Sequence, residues 1–325
     1  MKVLVLGGAG FVGQELVRQL LDDAALTPVV ASRRPVAENG VQAVSVDARD
    51  ESALVQILDH VEVVVNCIMG DGPTIAGTAA SIAAAARKTR RQPLIIHLST
   101  QSVYGSQVGR INEQFPRIDD IGWYGAAKIR AEQEFEAFAE AGGRVFILRP
   151  GCIYGPGSDM WTRRICRLIV GRSLGDLGNA GDGWSNLVYV ADVARAVVCC
   201  LKAEIAPGQA RVYNLSAPDS PRWNRYFHDV ALELEATPFR YLPRHELFIR
   251  SKLLAPPLKV TERVLRKLRM NSAWLPDGMP SSLLGVLQQQ IHLSSAALER
   301  DFTFCWTPYM EGLALGCRWY QSKFV

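Results

Sequence analysis

The sequence predicts an α/β protein built on a doubly wound parallel sheet. Three observations carry that expectation. Short runs rich in β-branched residues recur through the first half of the chain, stretches of helical periodicity separate them, and a glycine-spaced turn follows the first run. The runs are nearly continuous in apolar residues rather than alternating, so helices are expected to cover both faces of the sheet.

Taken in order, KVLVLG reads as the first strand, FVGQELVRQLL as a helix and TPVVASR as the second strand. VQAVSVD, VEVVVNCI, PLIIHLST and RVFILRP continue the series, with TIAGTAASIAAAARKTR as one of the intervening helices. After Pro150 the rhythm breaks. GDLGNAGDGW reads as a loop, either a lid or a plain connector, LVYVADVARAVVCCL as a strand then a helix, and RVYNLSA as a further strand. From Ser220 onward the text is less regular and is punctuated by proline, as at Pro256 and Pro257.

Composition narrows the class. Of 325 residues, 48% are hydrophobic and 21% charged, the balance of a soluble globular chain with a real core. MKVLVLGG is too short and too soon interrupted by glycine to read as a signal peptide, and no apolar run approaches the roughly 20 residues of a membrane span. A cytoplasmic protein is expected. Seven cysteines without a CxxC pair, beside five histidines, argue against a disulfide framework and against a metal site. They read as small buried hydrophobes. The net charge of +4 is uneven: eight Lys/Arg face only Glu246 and Glu262 between Arg244 and Met270. There, Val260, Val264, Leu265 and Leu268 form an apolar stripe ringed by cations. That pattern suits a lobe helix with solvated charges, with peripheral membrane contact as the alternative. No basic stretch interleaved with aromatics points to nucleic acid.

GGAGFVG places Gly7, Gly10 and Gly13 between the first strand and the first helix. A turn there needs residues without a Cβ, a pyrophosphate needs close approach of the backbone, and the helix N-terminus supplies partial positive charge. The expected fold is therefore Rossmann-type, with residues 1–155 and 187–218 in the dinucleotide-binding domain. Residues 156–186 and 219–325 are expected to form a smaller, interwoven C-terminal substrate lobe. An acidic residue at the end of the second strand would accept bonds from the ribose of NAD; ASRRP instead offers Arg33 and Arg34, which suit a 2′-phosphate. NADP(H) is thus expected over NAD(H). Asp47, closing the third strand, is assigned either to the adenine amino group or to capping the next helix.

WYGAAK sets Tyr124 and Lys128 four positions apart, on one helix face. Alone, that spacing describes a surface pair. LSTQSVYG precedes it and LRPGCIYGPG follows it, and with GxxGxxG ahead of both the chain resembles the extended short-chain dehydrogenase/reductase family, often labelled NAD-dependent epimerase/dehydratase. The resemblance covers residues 1 to about 217 and reaches the C-terminus only through FCWTPYMEGLALGCRWY. It implies that Tyr124 is the acid/base, Lys128 its partner and Thr100 the hydroxyl that orients the substrate oxygen. A free phenol has a pKa near 10, and a neighbouring ammonium and a cationic nicotinamide would both lower it. Phe11 and Val12 at the helix start, Ala48 beside Asp47, and Ile68 and Met69 after the fourth strand join the cofactor set. So do Tyr124 and Lys128, and Pro150, Gly151 and Ile153 in a loop expected to orient the nicotinamide.

Departures from the family pattern narrow the reaction. Gln101 and Ser102 stand where sugar-nucleotide dehydratases carry an Asp-Glu pair, and neither can exchange protons near pH 7. Ser185 stands where epimerases carry a diphosphate-gripping arginine. The expectation is an NADP(H)-dependent reductase of the branch that includes hydroxysteroid-dehydrogenase-like proteins, interconverting a ketone and a secondary alcohol on a small-molecule substrate. The alternatives are a sugar or nucleotide-sugar 4-epimerase and a non-catalytic NADP-binding sensor or scaffold. Trp123, Tyr154, Met160, Trp161 and Trp184 are assigned either to the walls of a substrate pocket or to core packing. The family implies a homodimer through helices at about 77–90 and 123–141.

Overall fold

In the computed structural model the described residues are 1–33, 41–249, 252, 257, 258, 261, 265 and 281–325. Along the chain run β1 (Lys2–Leu6), α1 (Phe11–Leu21), β2 (Thr27–Ser32), β3 (Gln42–Ser45), α2 (Glu51–Leu58), β4 (Val63–Asn66), α3 (Gly72–Lys88) and β5 (Leu94–Leu98). There follow β6 (Gly109–Ile111), α4 (Trp123–Glu140), β7 (Arg144–Pro150), β8 (Cys152–Tyr154), α5 (Arg164–Val170), β9 (Leu187–Tyr189), α6 (Val190–Lys202), β10 (Gln209–Leu215) and α7 (Trp223–Glu233). The seven-stranded sheet has the order β10-β7-β5-β4-β1-β2-β3, with parallel pairing throughout.

That order explains where the site sits. From β1 the chain proceeds outward through β2 and β3, then returns to the other side of β1 at β4. The connections diverge between β1 and β4, so a crevice opens at the carboxyl ends of these strands. The buried side chains of β1 alternate between faces: Val3 and Val5 join a core with Leu16, Leu20, Val193 and Val197 from α1 and α6, while Leu4 and Leu6 join one with Leu54, Ile82 and Phe135 from α2, α3 and α4. Both faces are covered, as the continuous apolar runs predict.

The chain divides into two units. The first comprises Met1–Ile153, Val188–Pro218 and Leu293–Thr307; the second comprises Tyr154–Leu187, Asp219–His292 and Pro308–Val325. The division differs from the sequence-based one in giving 293–307 to the first unit. The reason is packing: Leu298 and Phe304 are buried in the α1/α6 core, with Trp306 against it. Pro150 and Cys152–Tyr154 also differ from the expected loop, because Pro150 ends β7 in register with Leu215 and the next residues form β8.

Within the second unit, Trp223, Tyr226, Phe227, Tyr154 and Tyr309 form an aromatic core, and Trp161 lies 4.8 Å from Trp223. Trp184 is stacked on His292 at 4.0 Å, with the Arg222 guanidinium 4.5 Å from its ring centre. Tyr154, Trp161 and Trp184 thus have packing partners in their own unit, whereas Met160 and Trp123 are exposed. Most of the basic stretch 244–270 lies outside the described residues. Among the described residues no helix is long and apolar enough to cross a membrane. Cys152, Cys166, Cys200 and Cys317 are buried; Cys67 and Cys199 are partly so, and Cys305 is exposed, contrary to the expectation of seven buried thiols.

Candidate active site

The turn from β1 into α1 is built by absence of side chains. Gly7 has φ +80°, and a Cβ on it would stand 3.0 Å from the Cys67 carbonyl at the end of β4. A Cβ on Gly13 would lie 2.3 Å from the Gly7 oxygen and 2.6 Å from Gly8 Cα, so α1 can press against the turn only with glycine there. The Gly10 N–H donates to the Gly7 oxygen at 2.9 Å. Gly10 caps α1 without a side-chain acceptor, and the first turn carries no acidic residue. Phe11 and Val12 open the helix half-buried. Backbone N–H groups and helix dipole are therefore left available for a phosphate, the arrangement that a dinucleotide needs.

The adjoining strand ends carry the charged groups. Arg33, just past β2, is exposed; Arg34 lies outside the described residues. Asp47 does not cap the next helix. Asp50 does, accepting from the Ala53 N–H at 3.1 Å. Asp47 instead accepts from the Arg49 guanidinium at 3.1 and 2.8 Å and from its N–H at 3.0 Å. These bonds to Arg49, with a smaller contribution from Arg33, pull its carboxyl down to about 2. Ala48 beside it is buried. At the end of β4, Asn66 Oδ1 accepts from the Ile68 N–H at 3.1 Å, so its Nδ2 faces His97 Nδ1 at 3.2 Å as donor. The proton of the neutral ring then sits on Nε2, a buried atom with no hydrogen-bond partner among the described residues. Burial, and next Lys128, hold His97 well below its ordinary pKa.

Tyr124 and Lys128 occupy the first turns of α4. Lys128 is 2% exposed, and its Nζ donates to the Leu98 carbonyl at the end of β5 at 2.6 Å. Burial lowers its pKa to about 8. The Tyr124 hydroxyl faces the Met69 thioether at 3.7 Å, and Met69 itself is 63% exposed. Burial raises the Tyr124 pKa, and the Thr100 hydroxyl is the group that opposes the rise. This corrects the expectation that Lys128 lowers it here: the ammonium is directed at Leu98, and Thr100 takes that role. Thr100 begins the turn after β5, its side chain accepting from the Ser102 N–H at 3.2 Å. Thr100, Tyr124, Lys128, Met69 and Ile68 are thus gathered at the carboxyl ends of β4 and β5. Gly151 and Ile153 follow β7, and the Gly151 N–H is bound by the Leu215 carbonyl at 2.9 Å.

Gln101 is buried, with its amide nitrogen 3.9 Å from Cys152 Sγ, and the Ser102 hydroxyl lies 3.3 Å from that of Thr100. In the second unit Ser185 is fully buried and bonded to Ser220 and to the Pro221 carbonyl, so its position is a packing position. Sequence reasoning missed Glu132, Arg149 and the Asn66–His97 pair. Glu132 had a signal, since it extends the Tyr124–Lys128 spacing by four more residues.

Comparison with known proteins bears on the family and the fold. Residues 3–216 match the model of the NAD dependent epimerase/dehydratase family. Protein YeeZ of Escherichia coli K12 is 32% identical over 152 residues, 46% of this chain and 50% of YeeZ, so the chain spans about half the length of that relative. A dTDP-4-dehydro-6-deoxy-D-allose reductase of a Streptomyces species is 28% identical over 238 residues, 60% of this chain and 70% of the relative. The solved UDP-glucuronic acid 4-epimerase of Bacillus cereus, in complex with UDP-glucuronic acid and NAD, has a TM-score of 0.75 at 18% identity with all of both chains covered. The dTDP-glucose 4,6-dehydratase of Bacillus anthracis, in complex with NAD, has a TM-score of 0.74 at 17% identity, covering 100% of this chain and 97% of that one. With the glycine turn, the parallel sheet and the Tyr124–Lys128 helix all lying within the matched span, the chain belongs to the NAD dependent epimerase/dehydratase family, the extended short-chain dehydrogenases/reductases.

Proposed function

We propose that the protein is an NADP(H)-dependent oxidoreductase that interconverts a ketone and a secondary alcohol on a small molecule. The observation that supports this most is the set at the end of β5: a phenol beside the Thr100 hydroxyl, with a buried ammonium one helical turn away. The cofactor would lie with its pyrophosphate over the Gly7–Gly13 turn and supply the hydride. Thr100 and Tyr124 hold the substrate oxygen, and the Tyr124 hydroxyl delivers the proton to that oxygen in reduction or withdraws it in oxidation. Lys128, directed by the Leu98 carbonyl, offers its remaining donors to the cofactor ribose. The positive charge of an oxidised ring would oppose the rise that burial imposes on the phenol.

Preference for the phosphorylated cofactor rests on Arg33, exposed at the end of β2 with no acid in its place. The reductase reading over dehydratase and epimerase rests on Gln101, Ser102 and the buried Ser185, and one relative bears a reductase's name. A homodimer through α3 and α4, which pack on each other, completes the proposal. Calorimetric titration with NADPH and NADH, followed by a panel of carbonyl compounds, tests it. Tight NADPH binding with net NADPH consumption is the expected result. Turnover without net cofactor change would mark an epimerase, and binding without any turnover a sensor.

A further inference from the structure

The chemistry above leaves a cluster of buried charges beneath the reaction centre unused. Glu132 is fully buried on α4, one turn beyond Lys128 and two beyond Tyr124, so the three share one helix face. Its Oε1 accepts from Ser99 Oγ at 2.5 Å and Arg149 Nε at 2.9 Å; its Oε2 accepts from Arg149 Nη2 at 2.6 Å and Arg117 Nη1 at 3.1 Å. Arg149, on β7, also donates to the Tyr104 hydroxyl at 2.9 Å, which donates to Asn214 Oδ1 on β10 at 2.7 Å.

A buried ion pair is a poor device for stability, because desolvation offsets its attraction and apolar residues serve as well. Its geometry here has another consequence. Ser99 stands between Leu98, whose carbonyl receives Lys128 Nζ, and Thr100, which faces Tyr124. The Ser99 N–H is bound to the Leu148 carbonyl at 2.7 Å and its hydroxyl to Glu132. Three consecutive residues at the end of β5 therefore engage three residues spaced one turn apart on α4.

We propose that Glu132 is a positioning residue for the reaction centre: through Ser99 it sets the turn from which Leu98 grips Lys128 and Thr100 faces Tyr124. The role deepens, and rests on, the oxidoreductase reading. Glu132 acts on charge as well as on geometry. The groups around Lys128 are Glu132 from α4, Cys67 from the end of β4, and His97 and the Leu98 carbonyl from β5. Burial depresses Lys128, while Cys67 and Glu132 oppose that. Without the carboxylate, Arg149 would be unneutralised nearby, while Arg117 keeps its pair with Glu136 at 2.9 Å, and the ammonium would be lost at lower pH.

The test uses the full chain, NADPH, and the carbonyl compound that the wild type reduces. Ser99→Ala removes the link and leaves the ion pair; it is expected to keep the wild-type Tm within about 4 °C and NADPH affinity within about twofold, while kcat falls about tenfold. Glu132→Gln is expected to move the alkaline limb of kcat/KM to lower pH by about one unit. Wild-type kcat in Ser99→Ala, or an unmoved limb in folded Glu132→Gln, overturns the proposal. If Glu132→Gln does not fold, Ser99→Ala decides alone. Should the wild type reduce no carbonyl, the oxidoreductase reading fails and NADPH affinity against pH becomes the measure. A midpoint shifted downward in Glu132→Gln supports the role of Glu132, and an unshifted one overturns it.

Discussion

Tyr124→Phe removes one oxygen from a side chain whose hydroxyl faces Met69 and Thr100, so it leaves packing intact and takes away the proton. Turnover is expected to fall by roughly 10²–10⁴ with NADPH affinity unchanged; equal turnover in the variant would remove Tyr124 from the mechanism. Arg33 is the second residue with a separable effect. Arg33→Ala is expected to weaken NADPH binding by about 1.5–3 kcal/mol and to leave NADH binding alone, since only the former brings a 2′-phosphate. Parallel calorimetric titrations read the difference, and equal losses for both cofactors would place Arg33 away from the phosphate.

At the scale of elements, the β1–α1 turn tolerates no Cβ at its closest point. Gly13→Ala would set a methyl 2.3 Å from the Gly7 oxygen, backbone that cannot move without shifting α1. A loss of about 1–3 kcal/mol in urea denaturation is expected, together with weakened NADPH binding. The start of α2 makes a contrasting case. Asp50→Ala deletes a cap on an exposed helix end, so about 1 kcal/mol of stability is expected to go while cofactor affinity holds. Asp47→Ala, one turn earlier, is expected to show neither loss of a cap nor a comparable fall in Tm.

For the whole molecule, Lys128 gives stability a pH dependence of unusual sign. Folding lowers its pKa from 10.5 to about 8, so the unfolded chain binds more protons between those values. Burial of the ammonium costs stability below about pH 8, and that cost is relieved as pH rises toward 10. Relative to Lys128→Met, the wild type is expected to gain on the order of 2 kcal/mol between pH 7.5 and 10. Urea denaturation of both proteins at the two pH values checks this; a difference that is flat with pH would contradict it.

How much of this was legible beforehand follows from how local each feature is. The strands were readable because a parallel sheet covered on both faces demands continuous apolar runs, and β1 to β5 carry them. Tyr124 and Lys128 were readable because one helix face fixes their relation whatever surrounds it. Glu132 obeys the same spacing, yet its meaning depends on Arg149 and Ser99, which arrive from β7 and the end of β5. Asn66 and His97 are neighbours only because β4 pairs with β5 in a particular register. The direction of the Lys128 ammonium toward Leu98 belongs to the same class. By itself the sequence determined the periodicities, the glycine turn and the one-turn spacing of the reactive pair, all set by covalent neighbours within a few residues. Only the tertiary structure decided which buried charges meet beneath that pair, because strand order and register join residues that the chain holds far apart.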